Sequence, residues 1–512
     1  MENSKKESGL FASIAGVFLI SMVCRVFGFL REVVIAGWFG TGTEADAYLM
    51  AIRIFNIFAL LFGSILTTAY TPLYTHELAR NDGRKSADKL TSNLLNIIII
   101  ISVSVTVLCE ILVRPICSLV ATGFEGAKFD LTVNMCRIVF LAIPFYAVYY
   151  YFSAVLNAQK RFKIVEFATM FVGFGVMASI VCLSPIINEY SMPIGALAAY
   201  VLQLLVVIPA LIKCYRYKPV LSFRDSGTKE FFRILTPSVI GVAAAEINSA
   251  IDSALASTLD EGSVSALNYA LRINTFATSL LVTPIITVMF TKFSQTVAEK
   301  KEGEFSKSIR DGFEAISFLC LPLVSLIVAS CSDVVRIIYD RGAFTDEGVK
   351  LTSIALIYYI VGLVFYGYKT LMNRAFYARK NTKTPMWTGI IYIVLNVILN
   401  FILKEFMGIG GLALANSIAL ALATVVMIVV YIKQYGKWSM EGSFKEFLVM
   451  TSGTVACVLT YFGVKLLVPD NLYIRFFVPC VIAVIVYAVI CRVFKVRQFM
   501  ELWEMIVSKL KK

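Results

Sequence analysis

Histidine is almost missing from this sequence: there is one, His76, in 512 residues, and it sits in a basic stretch that reads as a solvated loop. Histidine-based acid–base catalysis and the common histidine metal sites therefore have no material to work with. No HExxH pair and no glycine-rich phosphate loop followed by lysine is present, so neither zinc-dependent hydrolysis nor ATP hydrolysis within the chain is supported. Charge is scarce as well. Asp, Glu, Lys and Arg make up 16% of the chain against 58% apolar residues, too little polar material to cover a soluble protein of this size. Eleven cysteines lie scattered, mostly inside apolar runs, as with Cys24, Cys136 and Cys457. They show no metal or disulfide spacing and read as small apolar filler. With no long loop to house a catalytic site, the chain reads as a transporter rather than an enzyme, with lipid as its solvent.

Apolar runs of about 20 residues or more recur from end to end, each long enough to cross the hydrocarbon core of a bilayer as a helix. About fourteen are present, so the expected fold is an all-α polytopic membrane protein. The first run follows Lys5 and Lys6 and continues past Arg25 without a small-residue cleavage site, so it is expected to stay in the protein. The net charge of +13 is distributed by loop rather than along a face. About 32 of the 47 Lys and Arg fall at the termini and in alternate loops, about 8 in the opposite loops and about 7 inside helices. That asymmetry predicts a bacterial cytoplasmic-membrane protein with both termini in the cytoplasm. Arg80, Arg84 and Lys85, then Lys160, Arg161 and Lys163, then Lys300 and Lys301, and Arg379, Lys380 and Lys383 mark the cytoplasmic side. Basicity here serves topology and anionic lipid, and no nucleic-acid partner is expected.

An internal repeat organises the chain. Ala51-Ile52-Arg53-Ile54 returns as Ala270-Leu271-Arg272-Ile273, Phe124 matches Phe344, and Asn157-Ala158-Gln159-Lys160 matches Tyr377-Ala378-Arg379-Lys380. Ile194-Gly195-Ala196-Leu197-Ala198 matches Ile409-Gly410-Gly411-Leu412-Ala413. Residues 1–220 are then a six-helix lobe and 221–437 a second copy. An even helix number relates the two by a pseudo-twofold along the membrane normal, the geometry in which two lobes rock about a cleft in alternating access. Residues 438–495 add two more helices. Residues 496–512 place Phe499, Leu502, Trp503, Ile506 and Leu510 at helical spacing with Lys509, Lys511 and Lys512 at the end, an expected amphipathic helix on the cytoplasmic surface.

Charges inside the spans carry the functional argument, because each costs about 2.5–3.5 kcal/mol if left facing lipid. Arg25, Arg31 and Glu32 fall in the first helix, Asp46 and Arg53 in the second, Arg272 in the eighth, and Lys369 and Arg374 in the tenth. Arg25 and Glu32 share a helix face, Arg31 projects about 100° away, and Gly28 is a candidate bend that would turn both arginines inward. Arg53 and Arg272 occupy equivalent places in the two copies. Guanidinium forks match phosphate oxygens, so a substrate carrying phosphate or pyrophosphate is expected, with acid partners such as Asp46, Glu32 or Asp252 as the competing explanation. A second cluster joins Asp252 with Asn396, Asn400, Asn416 and Ser417. Such oxygen donors suit a sodium ion, and polar packing between helices explains them nearly as well.

Several stretches together resemble a known family. Cys24-Arg25-Val26-Phe27-Gly28-Phe29-Leu30-Arg31-Glu32, Ala45-Asp46-Ala47-Tyr48, Arg341-Gly342-Ala343-Phe344-Thr345, and Phe376-Tyr377-Ala378-Arg379 followed by Thr382-Lys383-Thr384-Pro385 are similar to the MurJ/MviN lipid II flippases. These belong to the multidrug, oligosaccharidyl-lipid and polysaccharide exporter superfamily. The resemblance implies translocation of undecaprenyl-pyrophosphate-linked peptidoglycan precursor from the cytoplasmic to the outer leaflet, with Arg25, Arg31 and Arg272 at the family's pyrophosphate-binding positions and Glu32 and Asp46 at its acid positions; these five and Arg53 are the expected substrate contacts. It implies a role in peptidoglycan biosynthesis, cell wall and cell shape. The partners it implies are the lipid-linked glycan pyrophosphate and membrane lipids; the chain is expected to function as a monomer. Helix 2 departs from the pattern: one expected arginine is missing, with Ala59 about where it would lie. Two readings stay beside this one: a flippase for another lipid-linked glycan, of exopolysaccharide or teichoic type, and a cation-coupled multidrug exporter.

Overall fold

The computed structural model describes residues 2–63, 65–79, 83–438 and 443–510. Side chains of Lys5, Lys6, Ile506, Lys509 and Leu510, and all of Arg80, Lys511 and Lys512, lie outside the described residues. The described chain is helical, without a strand. Ten helical stretches in it are long and apolar enough to cross a membrane, or eleven if a pair bent by 41° counts as one span. One stretch, Phe162–Ile212, is two helices packed along each other. The first and tenth helices include side chains outside the described set and are not in that count.

Contacts divide the chain into two units. The first holds residues 1–265 and 342–344. It contains α1 (Glu2–Phe39), α2 (Thr43–Ala59), α3 (Ile65–Leu78), α4 (Gly83–Ile111), α5 (Val113–Val120), α6 (Gly126–Phe140), α7 (Ile143–Ala158), α8 (Phe162–Ile187), α9 (Ser191–Ile212) and α10 (Ser226–Ser257). The contact boundary therefore falls well after residue 220, because α10 packs on α2 and α3. A boundary of duplication and a boundary of packing are different things, and one helix separates them here. Loop 213–222 is strapped to α4: Asn93 Nδ2 donates to the Ser222 carbonyl at 2.8 Å, and Asn96 Nδ2 to that of Val220 at 2.8 Å. Unsatisfied backbone groups of an irregular segment are costly beside a membrane, and these amides supply them.

The second unit holds residues 266–341 and 345–512. It contains α11 (Ser263–Ala298, whose first turn belongs to the first unit), α12 (Glu302–Ala329), α13 (Cys331–Tyr339), α14 (Asp346–Ala378), α15 (Lys383–Met407), α16 (Ile409–Tyr435), α17 (Ser443–Lys465), α18 (Leu472–Val493) and α19 (Arg497–Leu510). Helices α17 and α18 are held on α12 by a core that includes Phe318, Met450, Cys457 and Tyr487. The last of these donates its hydroxyl to the Phe318 carbonyl at 3.1 Å.

The repeat is written in the backbone as well as in residue identity. Helix α11 starts and ends 220 residues after the pair α2–α3. Lys160 and Lys380, also 220 apart, both take positive φ (62° and 59°) at helix C-termini, and Asn188 and Gly408 repeat the device with φ of 47° and 53°. A non-glycine residue pays steric strain in that region, so its return at a fixed offset reflects a shared helix ending. The copies differ where α2–α3 and α6–α7 are broken and their counterparts α11 and α14 run through.

Candidate substrate-binding site

In the first unit α8 fixes the arginine-bearing stretch of α1. Gly173 allows a close approach: a Cβ there would lie 2.8 Å from the Phe27 carbonyl oxygen. Ser21 donates to Glu166 Oε2 at 2.9 Å, and the Cys24 thiol to the Glu166 carbonyl at 3.2 Å. Arg25, one residue on, is exposed. Helix α1 runs unbroken through Gly28, so the arginines are not brought together by a break there.

Arg31 behaves differently from its expected place on the helix wheel. Its Nη2 lies 2.6 Å from Oε1 of the adjacent Glu32, a carboxylate with no exposed surface. Successive positions diverge by about 100°, yet the long guanidinium stem folds across the gap. The Arg31 Nε is buried and donates to no protein group. An aromatic wall stands nearby that sequence reasoning missed. Phe55 stacks on Tyr200 with centroids 5.3 Å apart, Tyr146 meets both edge-on, and Tyr150 lies 4.5 Å from Tyr146. The signal is present as the Tyr149-Tyr150-Tyr151 run, but which ring faces which helix is not.

Asp46, expected among the substrate contacts, is almost fully buried and occupied as an anchor. Its carboxylate receives Lys128 Nζ at 2.7 Å and the backbone N–H groups of Gly262 and Ser265 at 2.9 and 2.8 Å. It thereby caps the N-terminus of α11 from another helix, neutralising amides that have no partner within their own helix. Arg53 is half-buried on α2, and Arg272 is half-buried on α11 in the second unit.

Of the sodium candidates, Asp252 belongs to the first unit and the other four to the second. Asn396 and Asn400 are fully buried, and Asn400 Nδ2 donates to Asn396 Oδ1 at 3.2 Å. Ser417 donates to the Tyr358 carbonyl at 2.5 Å, and Asn416 Nδ2 to the Tyr392 hydroxyl at 2.9 Å. The last two bonds tie α16 to α14 and α15.

Asn416 also faces a cavity of about 520 Å³ inside the second unit, walled by α11, α14, α15 and α16. Lys369 and Arg374 line it and no Asp or Glu does. The Lys369 ammonium stands 4.6 Å from the Tyr392 ring centroid and the Arg374 guanidinium 5.1 Å from that of Phe290. Gly362 is needed where α14 meets α16, since a Cβ there would sit 2.6 Å from Ser417 Oγ.

Comparison with known proteins agrees with this arrangement of helices. The sequence profile described as lipid II flippase MurJ matches residues 35–487. The chain belongs to that family. A probable lipid II flippase MurJ of Vibrio cholerae is 28% identical over 418 residues, covering 79% of each chain. A lipid II flippase MurJ of Burkholderia cenocepacia is 26% identical over 428 residues, covering 82% of this chain and 83% of its own. A solved lipid II flippase MurJ in an inward closed conformation superposes with a TM-score of 0.82 at 24% identity, over 93% of this chain and 98% of that one. An inward-facing multidrug resistance transporter of the MATE family gives 0.67 at 13% identity, over 81% and 96%. These two structures show a shared transporter fold.

Within the family pattern, the missing arginine of helix 2 has a packing counterpart. Ala59 is 1% exposed, so that position is filled by neighbours and has no space for a guanidinium. Two cysteines also come together unannounced: the buried Sγ atoms of Cys117 and Cys136 are 3.6 Å apart across α5 and α6.

Proposed function

We propose that this chain is a flippase that carries lipid II, the undecaprenyl-pyrophosphate-linked peptidoglycan precursor, from the inner to the outer leaflet by alternating access. Membership of the MurJ family over residues 35–487 carries the reading. The chemistry of the interior supports it. Arg25 is exposed, Arg31 keeps an unused buried N–H, and Arg272 is half-buried in the other unit. The doubly esterified pyrophosphate of such a lipid offers several acceptor oxygens and two negative charges, which such forks bind in two-point fashion. Alternating access then needs the cations to hold the diphosphate while the isoprenoid tail stays in lipid. Both termini are cytoplasmic in this reading, in keeping with the loop charges.

Sodium is proposed as the coupling ion, held within the second unit by Asn396 and Asn400 with Asn416 and Ser417. These are hard oxygen donors, and binding requires Asn396 Oδ1 to exchange its Asn400 partner for the ion. The filled position at Ala59 favours a second reading, a flippase for a different lipid-linked glycan. Depleting the protein and identifying the lipid-linked precursor that accumulates decides between them. Accumulated lipid II supports the first reading, and accumulation of another glycan lipid with normal lipid II supports the second.

A further inference from the structure

Half-buried cations of the second unit differ in their partners. Arg379 pairs with Glu302, Lys465 with Asp333, and Arg497 with Asp311 and Glu314. Lys369 and Arg374 do not: among the described residues no acid lies within ion-pair distance of either, and each rests instead against an aromatic ring. Both line the same cavity. A cation drawn partly out of water without a counter-ion raises the energy of the empty protein, so its retention asks for an anion that visits.

The rest of the wall narrows the anion's identity. Asn274 Oδ1 and Asn373 Oδ1 are buried there and accept no hydrogen bond. They call for donors, which a bare phosphate lacks. Tyrosines 366, 377 and 392 supply rings and hydroxyls. Acceptors, cations and aromatic faces together fit a molecule bearing hydroxyl or amide N–H groups and a carboxylate. A volume of about 520 Å³ admits a sugar with a few amino acids, and not a C55 chain.

We propose that this cavity receives the acidic, hydroxylated headgroup of the translocated lipid, its sugar and peptide carboxylates, separately from the pyrophosphate. The assignment rests on the flippase reading above. Lys369 and Arg374 hold the carboxylate, and Asn274 and Asn373 accept from hydroxyl and amide groups. Selectivity for the headgroup then resides in α11 and α14 of one unit, apart from the arginines of α1.

The test uses the full-length protein in detergent and three probes: lipid II with free peptide carboxylates, lipid II with those carboxylates amidated, and undecaprenyl pyrophosphate. Wild type is expected to favour the first over the second about tenfold. Lys369→Met and Arg374→Gln should each erase that preference and leave affinity for undecaprenyl pyrophosphate unchanged. Arg374→Lys should retain part of it. Thermal stability should hold or rise in Lys369→Met, since an uncompensated cation has been removed. A preference that survives both neutralising variants overturns the assignment, and so does an equal loss for all three probes. If wild type binds none of the three, the flippase reading itself fails, a different outcome from binding all three without preference, which removes the cavity assignment alone.

Discussion

Lys128 holds Asp46 by a 2.7 Å ion pair, and the same carboxylate receives the backbone N–H groups of Gly262 and Ser265. One side chain therefore ties the start of α2 to α6 and to the start of α11. Removing it strands a mostly buried ammonium and two buried amides. Breaking a buried pair from one side costs about 3–5 kcal/mol. Asp46→Ala is expected to lower the detergent melting temperature by several degrees, with Asp46→Asn intermediate, while the folded fraction binds lipid II normally. Weakened binding at unchanged stability would return Asp46 to the list of substrate contacts.

The C-terminal helix is anchored in the same manner. Arg497 reaches Asp311 Oδ1 at 2.6 Å and Glu314 Oε2 at 2.5 Å, and Gln498 donates to the same Glu314 oxygen. Hydrogen bonds to charged groups contribute about 1.5–3 kcal/mol, and truncation leaves Asp311 with Lys292 and Glu314 with Arg310 and Gln498. Arg497→Ala should destabilise by that amount and raise protease sensitivity between α18 and α19. An unchanged cleavage pattern and melting temperature would show that α19 is held by its apolar face alone.

If sodium occupies the asparagine pair, it stabilises the folded protein by linkage. Adding sodium against an equal ionic strength of a bulky organic cation should raise the melting temperature, and Asn400→Leu or Asn396→Leu should abolish the rise. A sodium response that persists in both variants removes this site.

Topology is open to a direct reading. Reporter fusions after residues 85, 161 and 301 are expected to report the cytoplasmic side, following the distribution of Lys and Arg. Two opposite signals would invert the orientation.

Much of this architecture is legible in the amino-acid sequence. Span-length apolar runs, the 220-residue offset and the loop charges follow from one-dimensional pattern, and the backbone repeats that offset at Lys160 and Lys380. The lone arginines of α1 stand out as costly charges in lipid. Pairings do not. Arg31 turns to its immediate neighbour Glu32 against the helix wheel, because side-chain length outweighs the 100° step. Asp46 finds Lys128 and two amides from distant segments, which no local spacing reveals. Lys369 and Arg374 are visible as charges in an apolar span, yet their common cavity depends on α11, α15 and α16 meeting α14. Cys117 and Cys136, 19 positions apart, lie together only because α5 folds onto α6.

The central claim is movement of a lipid diphosphate by a chain whose arginines take its charge, and Arg272 is the residue on which it is most exposed. The deciding measurement is the transfer of lipid II between leaflets of vesicles containing the purified protein, compared for wild type, Arg272→Ala and Arg272→Lys. A charge-assisted contact of about 1.5–3 kcal/mol corresponds to roughly a ten- to hundredfold loss on alanine substitution. The account predicts transfer by wild type, a loss of that size for Arg272→Ala at unchanged melting temperature, and partial recovery with Arg272→Lys, which keeps charge without the fork. Wild-type transfer rates in Arg272→Ala, or no lipid II transfer by the wild-type protein, would contradict it.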